Sequence, residues 1–283
     1  MGSVSDAAGI ALPTIAILGA GSMGGAILQG LRQPGVTVEG GIRVTNRHAD
    51  PSRHSGVTSY ALEEDETANR RAVEGAGVVL LGVKPVGIAA LLEDIAPALA
   101  EGTLVISLAA GVTLAAMETR LPAGTPVVRA MPNTPATVGL AVTGISAGSA
   151  AGPDHLALAR ALFETVGDVL EVPEERIDAL STISGSGPAY VFFLIEQLQA
   201  AARSRGFDEE EARLLVQGTF RGAVELLRTT DLPPEELRRR VTSPNGTTER
   251  AIAVLERARL DEVFDEATAA ALARAREIAR ELA

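Results

Sequence analysis

The sequence predicts an α/β protein in two parts, a doubly wound, largely parallel sheet followed by a domain built from helices alone. Three observations carry that prediction. Short apolar runs alternate with amphipathic stretches over residues 14–173, the grammar of a parallel sheet covered on both faces. The first run breaks into glycines and then resumes at helical spacing. After Pro173 no strand pattern returns, while apolar residues at helical period continue through the rest of the chain.

The opening run, Thr14 to Gly25, reads TIAILGAGSMGG. Ile15, Ile17 and Leu18 make a buried strand, and Gly19, Gly21 and Gly24 then fit G-x-G-x-x-G. The first glycine allows the tight turn, the second lets a pyrophosphate approach the backbone, and the third lets helix pack on strand. The following helix carries Met23, Ile27 and Leu31 toward the sheet and points its N-terminal amides, beginning at Ser22, at an anion. This is the pattern of a Rossmann-type dinucleotide-binding domain, although a glycine-rich turn in a nucleotide-free fold has the same letters.

Further elements follow in order. Ile42 to Asn46 is a second strand, and Ser52 to Arg71 is polar enough to be loop plus a short helix. Gly77 to Val83 is fully apolar, as a central strand should be. Pro85 takes a first helical position, followed by Ile88, Leu91, Leu92, Ile95 and Leu99 on one face. Thr103 to Leu108 is a strand, Leu114 to Leu121 a helix, and Pro126 to Met131 a strand that enters the turn Pro132 to Pro135. Gly139 to Ser146 reads as an antiparallel edge strand, Pro153 to Val166 as a helix, and Asp168 to Val172 as the last strand.

In the second part, Glu174 to Ile183 is helical, SGSGP interrupts, and Ala189 to Arg205 continues as a helix. That helix is apolar around its circumference, with Val191, Phe192, Phe193, Leu194, Ile195 and Leu198, which places it in a large core or a subunit interface. Phe207, Asp208 and Glu211 supply a staple, an N-cap and a capping-box acid for the next helix, which reaches about Arg228 and buries Leu215, Phe220, Val224 and Leu227. Pro233 and Pro234 start a short helix, and two more follow Thr248, carrying Ile252, Leu255, Val263, Phe264, Leu272 and Ile278. The expected divisions are a disordered tail over 1–13, a dinucleotide-binding domain over 14–173, and a helical domain over 174–283 that closes the substrate site or dimerises.

Composition narrows the function. The 283 residues hold no cysteine, so there is no disulfide framework, thiolate nucleophile or zinc-thiolate site, and only three histidines remain for metal chemistry; no metal is expected. This suits a reducing, cytoplasmic setting. A formal charge of −11 argues against nucleic acid or an anionic membrane as partner. No apolar run reaches the roughly 18 residues of a membrane span, and the first residues lack the layout of a signal peptide.

Candidate site residues lie mostly at strand ends. An NAD site usually shows an acid about 20 positions past the glycines, but here stand Asn46 and Arg47, which can hydrogen-bond a 2′-phosphate and so favour NADPH over NADH. The alternative is a turn at Asn46 and a solvated charge at Arg47. Val83, Lys84 and Pro85 follow the central strand at its ligand-binding end. Lys84 is the sole lysine of the chain, and the proline after it points to a backbone corner shaping the pocket more than to proton transfer. In Arg129 to Pro135, RAMPNTP, two prolines restrain a loop from which Asn133 or Thr134 can offer a hydrogen bond, unless it is simply a rigid turn. Within VTSPNGTTER, residues 241–250, Ser243, Asn245, Gly246, Thr247 and Thr248 gather amides and hydroxyls at a helix start, a carboxylate site in prospect. N-capping by Thr247 or Thr248 is the plainer role, and the two are compatible.

Taken together, GAGSMGGAI, VKP, AMPNTPA, ISGSGPAY (Ile183 to Tyr190) and VTSPNGTT resemble the pyrroline-5-carboxylate reductase family, in the family's order and over almost the whole chain from Thr14. The resemblance implies NAD(P)H reduction of the cyclic imine 1-pyrroline-5-carboxylate to L-proline, the last step of proline biosynthesis. It implies that Gly19, Gly21, Ser22, Met23 and Gly24 bind the pyrophosphate, and Asn46 and Arg47 the adenosine ribose phosphate. Val83, Lys84 and Pro85, with Met131 and Asn133, would border the nicotinamide. Ser243, Asn245, Gly246, Thr247 and Thr248 would hold the substrate carboxylate, with Thr248 near the ring nitrogen as the catalytic side chain. It further implies a homodimer with intertwined helical domains, in some cases a larger ring of dimers. The family usually has two glycines after Ser-Pro, and here the first is Asn245, a residue that tolerates the left-handed region. Two rivals share the plan. A β-hydroxyacid dehydrogenase depends on a lysine in its helical domain, and residues 174–283 have none. A regulatory NADPH-binding protein has no use for an anion-binding helix start at 243–248.

Overall fold

The structure is a computed structural model that describes residues 9–49 and 55–282. Residues 1–8 of the expected tail and Ser52 to His54 of the expected loop lie outside the described residues.

The chain begins with strand β1 (Ile10–Leu12), then β2 (Ile15–Leu18), helix α1 (Ser22–Leu31), β3 (Val36–Val38), β4 (Ile42–Asn46), β5 (Val57–Ala61) and α2 (Ala68–Val73). It continues through β6 (Val78–Leu81), a 3-10 turn at Pro85–Gly87, α3 (Ile88–Ile95), β7 (Leu104–Ser107), α4 (Leu114–Glu118) and β8 (Val127–Met131). After a 3-10 turn at Thr134–Val138 come β9 (Ala141–Ala147), α5 (Pro153–Glu164) and β10 (Gly167–Glu171).

Eight of these strands form one sheet in the order β10-β9-β8-β7-β6-β2-β4-β5. All neighbours are parallel except β8 and β9, which are antiparallel. The order reverses between β2 and β6, so the turns after these two strands open beside each other at the ligand-binding edge. β2 is apolar at every position because both its faces are covered. Ile15 and Ile17 pack into a core that includes Ile27, Leu31, Leu162 and Phe163 of α1 and α5. Ala16 and Leu18 pack on the other face with Leu91, Leu92, Ile95 and Met117 of α3 and α4.

Three expectations in this part are corrected. Residues 10–12 are not tail: β1 pairs in parallel with β3, with Leu12 buried. The segment expected as loop and helix contains β5, an edge strand paired with β4. β9 is antiparallel as expected but is not the edge, because β10 pairs outside it.

Beyond β10 the chain forms a 3-10 turn at Glu174–Arg176, α6 (Ile177–Leu180), a π-helical turn at Ser181–Gly185, α7 (Gly187–Arg203), α8 (Glu209–Thr230), α9 (Pro234–Arg240), α10 (Thr247–Arg257) and α11 (Leu260–Leu282). SGSGP therefore does not break the chain into a loop: Ser184 and Gly185 end a widened helical turn and Gly187 and Pro188 begin α7. Two compact units emerge, residues 1–186 with 271–283, and residues 187–270. The first contains more than the change of grammar after residue 173 suggests, because 174–186 pack on the sheet through bonds described below.

In the second unit the capping box forms as expected, Glu211 N–H donating to Asp208 Oδ1 at 2.8 Å and Asp208 N–H to Glu211 Oε2 at 3.0 Å. Burial departs from expectation: Leu215, Val224, Leu227, Leu255, Val263 and Phe264 are exposed in the single chain, and α8 buries Ala212 and Val216 instead. On α7, read as a core or interface helix, Val191, Phe192, Phe193, Leu194 and Leu198 are exposed in the single chain, Phe192 at 60% and Phe193 at 59%, and Ile195 is half-buried. No described helix is long and apolar enough to cross a membrane.

Candidate active site

The glycine turn is built by close contact. Gly19 has φ +90, which favours glycine, and its N–H donates to the Thr45 carbonyl at 2.9 Å. A Cβ on Gly24 would lie 2.6 Å from the Gly19 carbonyl oxygen, so only glycine lets α1 start this close to β2. Gly21 has nothing within 4 Å of where its Cβ would be. That open side, above a helix whose N-cap is Gly21 with no side-chain cap, leaves the first amides of α1 for a phosphate. Ser22 is exposed at the first helical position, and Met23 packs partly against the core with buried Ile27 and Leu31.

Asn46 ends β4 and does more than offer itself to a ligand. Its Oδ1 accepts from the Ala20 N–H at 2.9 Å, tying the second strand to the glycine turn. Its amide nitrogen remains as a donor at the turn's edge. Arg47 is exposed and lines a cleft of about 610 Å³ with Asn69, Val83, Lys84, Val86, Gly87, Ala90, Leu91 and Asp94. Arg47 and Lys84 have no ion-pair partner among the described residues, whereas Asp94 is paired with Arg70 at 2.8 Å. The cleft thus presents two cations without an acidic counterpart among the described residues.

Asn69, which sequence reading missed, is buried in the wall of this cleft, its Oδ1 accepting from the Thr45 hydroxyl at 2.8 Å. Its signal was a polar residue in the first turn of a short helix, and nothing in the sequence alone shows that helix facing β4. Val83 sits against the glycine turn, since a side chain at Gly19 would meet its Cγ1 at 3.0 Å. Lys84 is exposed just before Pro85, the first residue of the 3-10 turn, as a backbone corner requires.

Met131 and Asn133 follow β8. Asn133 is buried and acts as a strut: Val142 N–H donates to its Oδ1 at 3.0 Å, and its Nδ2 donates to the Ser184 carbonyl at 3.0 Å. These two bonds use one of the two N–H groups of its amide, so the side chain is held in place with a second donor left over. Met131 is half-buried, and a Cβ on Gly185 would meet its Cε at 3.2 Å. The segment 181–186 therefore packs against the loop expected beside the nicotinamide.

In the second unit, α10 starts at Gly246, with no side-chain cap. Thr247 and Thr248 occupy the first helical positions and neither is the N-cap, which corrects the capping expectation. Asn245 has φ +61, the left-handed conformation foreseen for it. Its N–H donates to Glu249 Oε2 at 3.0 Å, and the Gly246 N–H donates to the Ser243 carbonyl at 3.0 Å. Asn245 and Gly246 thus shape the loop but do not offer their own amides. The amides of Thr247, Thr248 and Glu249 precede the first intrahelical bond, Arg250 N–H to the Gly246 carbonyl at 3.4 Å. Ser243 and Thr247 are exposed and Thr248 half-buried. No metal-binding cluster occurs among the described residues.

A doubly wound sheet with a bare, glycine-built helix start at its switch point is the working half of a dinucleotide-dependent oxidoreductase, and the appended helical unit is the kind that completes one. Comparisons make the assignment particular. Residues 174–278 match the family model described as pyrroline-5-carboxylate reductase dimerisation, and residues 14–111 match the one described as NADP oxidoreductase, coenzyme F420-dependent. The chain is 38% identical to a pyrroline-5-carboxylate reductase of Pseudomonas aeruginosa over 95% of this chain and 98% of the relative. A solved pyrroline-5-carboxylate reductase from Coxiella burnetii superposes with a TM-score of 0.86 at 39% identity, covering 96% of this chain and 99% of that one. Another, from Plasmodium falciparum with NADP bound, gives 0.80 at 25% identity, covering 94% and 98%. The chain belongs to the pyrroline-5-carboxylate reductase family.

Proposed function

We propose that this chain reduces 1-pyrroline-5-carboxylate to L-proline with NADPH as the preferred electron donor and NADH as a weaker one. The observation that carries the reading is the pairing of two bare helix starts in one chain, α1 at Gly21 for a pyrophosphate and α10 at Gly246 for a carboxylate. Dihydronicotinamide, when bound, supplies the hydride. Gly19, Gly21, Ser22, Met23 and Gly24 hold the pyrophosphate, while Asn46 Nδ2 and Arg47 take the ribose phosphate. Val83, Lys84, Pro85 and Met131 border the nicotinamide, with Asn133 stiffening that border from behind.

On the substrate, the hydroxyls of Ser243, Thr247 and Thr248 and the amides of Thr247 and Thr248 hold the carboxylate. Thr248 orients the ring nitrogen. A protonated imine already accepts hydride well, so the protein's task is to orient two molecules and exclude water, and no acid or base with a shifted pKa is required. The exposed apolar helices support a homodimer with intertwined helical domains, able to build into a ring of dimers. A chain free of cysteine suits the cytoplasm.

The test is oxidation of NADPH and of NADH with pyrroline-5-carboxylate, beside small hydroxyacids and a control without substrate. Imine-dependent oxidation, faster with NADPH, is expected, and Arg47→Glu should raise KM for NADPH by at least about ten-fold while leaving NADH nearly unaffected. Absence of imine-dependent oxidation overturns the reading.

A further inference from the structure

We infer that Glu249 is a positioning residue for the substrate loop, its carboxylate holding Asn245 in the left-handed turn that leaves the Thr247 and Thr248 amides free. The inference rests on the carboxylate role proposed for that loop.

Asn245 is exposed and sits at φ +61, a conformation that asparagine tolerates better than most residues but adopts less readily than glycine, so a bond that holds it there matters. The bond that does so comes from Glu249 Oε2, 3.0 Å from the Asn245 nitrogen. Glu249 is the third residue of α10, where an acid ordinarily closes a capping box by reaching back to the N–H of the N-cap itself. Here it reaches one residue further. The N–H of the N-cap, Gly246, goes to the Ser243 carbonyl, and Gly246 has no side chain with which to return the bond.

The start of α8 shows the complete version, with Asp208 and Glu211 bonded reciprocally and the Glu211 amide consumed. α10 keeps only half of that arrangement, so the acid fixes the turn while the helix amides stay open. Gly246 cannot take over the work of the turn by carrying a side chain, because a Cβ there would lie 2.9 Å from the Ser243 carbonyl oxygen. Glu249 acts through Asn245 alone.

The substitutions Glu249→Ala, Glu249→Gln and Asn245→Gly, with the double variant Glu249→Ala/Asn245→Gly, test this by steady-state kinetics on the imine. Glu249→Ala should raise KM for the imine about five- to ten-fold with kcat changed by less than about two-fold, because the lost bond orders the loop for binding. Glu249→Gln keeps an acceptor oxygen and removes a negative charge beside an anion site, so its KM should equal or fall below that of the unsubstituted protein. Asn245→Gly should restore KM in the Glu249→Ala background, since glycine adopts the left-handed turn without support. An unchanged KM in Glu249→Ala, or a double variant no better than that single one, overturns the inference. Thr248→Ala separates the two levels: loss of about 10- to 100-fold in kcat/KM there, with none in Glu249→Ala, leaves the loop's role standing and removes Glu249 from it. No imine turnover by the unsubstituted protein overturns both.

Discussion

Arg129 lies in the middle of β8 with 4% of its side chain exposed, 2.6 Å from Asp178 and 3.3 Å from Glu174. Glu174 also accepts from the Leu114 N–H at 2.7 Å, so one cluster binds the segment after β10 to the sheet and to α4. A buried guanidinium with two carboxylates costs much when one partner is deleted, and here both acids would lose their counter-charge together. Arg129→Ala should therefore destabilise the protein by about 3 kcal/mol, read as a fall in the urea midpoint at fixed protein concentration. A loss below about 1 kcal/mol, the scale of a surface pair, would show the cluster to be dispensable. Single residues were legible where their job is local. Asn46 was found by its distance past the glycines, and the left-handed tolerance of Asn245 was read from its side chain alone. The bond from Ala20 to Asn46 and the two bonds of Asn133 were not legible, because each joins segments whose adjacency is decided by the sheet order.

Among the elements, α2 shows how a short helix is held in place to serve a cleft. Asp65, just before it, accepts from Thr67 Oγ1 at 2.6 Å, from Arg71 at 2.6 Å and from the Thr67 N–H at 2.8 Å. Those bonds, Thr67's hydroxyl foremost and then Arg71's guanidinium, hold the Asp65 carboxyl below its ordinary value of 3.8. A depressed folded-state pKa means that the stabilisation is complete above 3.8 and is lost as pH falls through the depressed value. Amide exchange in residues 68–73 should accelerate over that acid window more than in the β2 core, and Asp65→Asn should abolish the excess. Equal acid sensitivity in the Asn variant would assign the effect elsewhere. Elements with both faces buried were legible nearly to the residue: β6, VVLL, lies inside the fully apolar run Gly77 to Val83 that predicts it. β5, VTSYA, was not, because an edge strand that buries only Ala61 carries no apolar alternation, and β1, IAL, is only three residues long, too short to show a period.

For the whole molecule, the decisive quantity is apolar surface left open by one chain. Val191, Phe192, Phe193, Leu194 and Leu198 on α7, with Leu214, Leu215, Val224 and Leu226 on α8, are all exposed, far more than scattered surface residues explain. The apolar pattern on these helices was legible, but the partner that covers it was not, and so the residues expected to be buried are bare in the single chain. If two copies bury these faces against each other, folding and association are linked. The unfolding midpoint should rise with protein concentration and sedimentation at micromolar concentration should show a dimer or larger; a monomer with a concentration-independent midpoint would contradict the interface.

α11 sets the order in which this molecule can be finished. Its last turns belong to the sheet unit, where Ile278 Cγ2 and the backbone of Ala279 crowd Gly111, itself at φ +77 in the loop after β7. Residues 187–270 are made between the two pieces of that unit. On a ribosome adding roughly 5–20 residues each second, the sheet emerges early but its final packing waits for the passage of the entire intervening helical segment, a delay of several seconds or more. The sheet unit thus begins to emerge before residues 187–270 and is completed only after them.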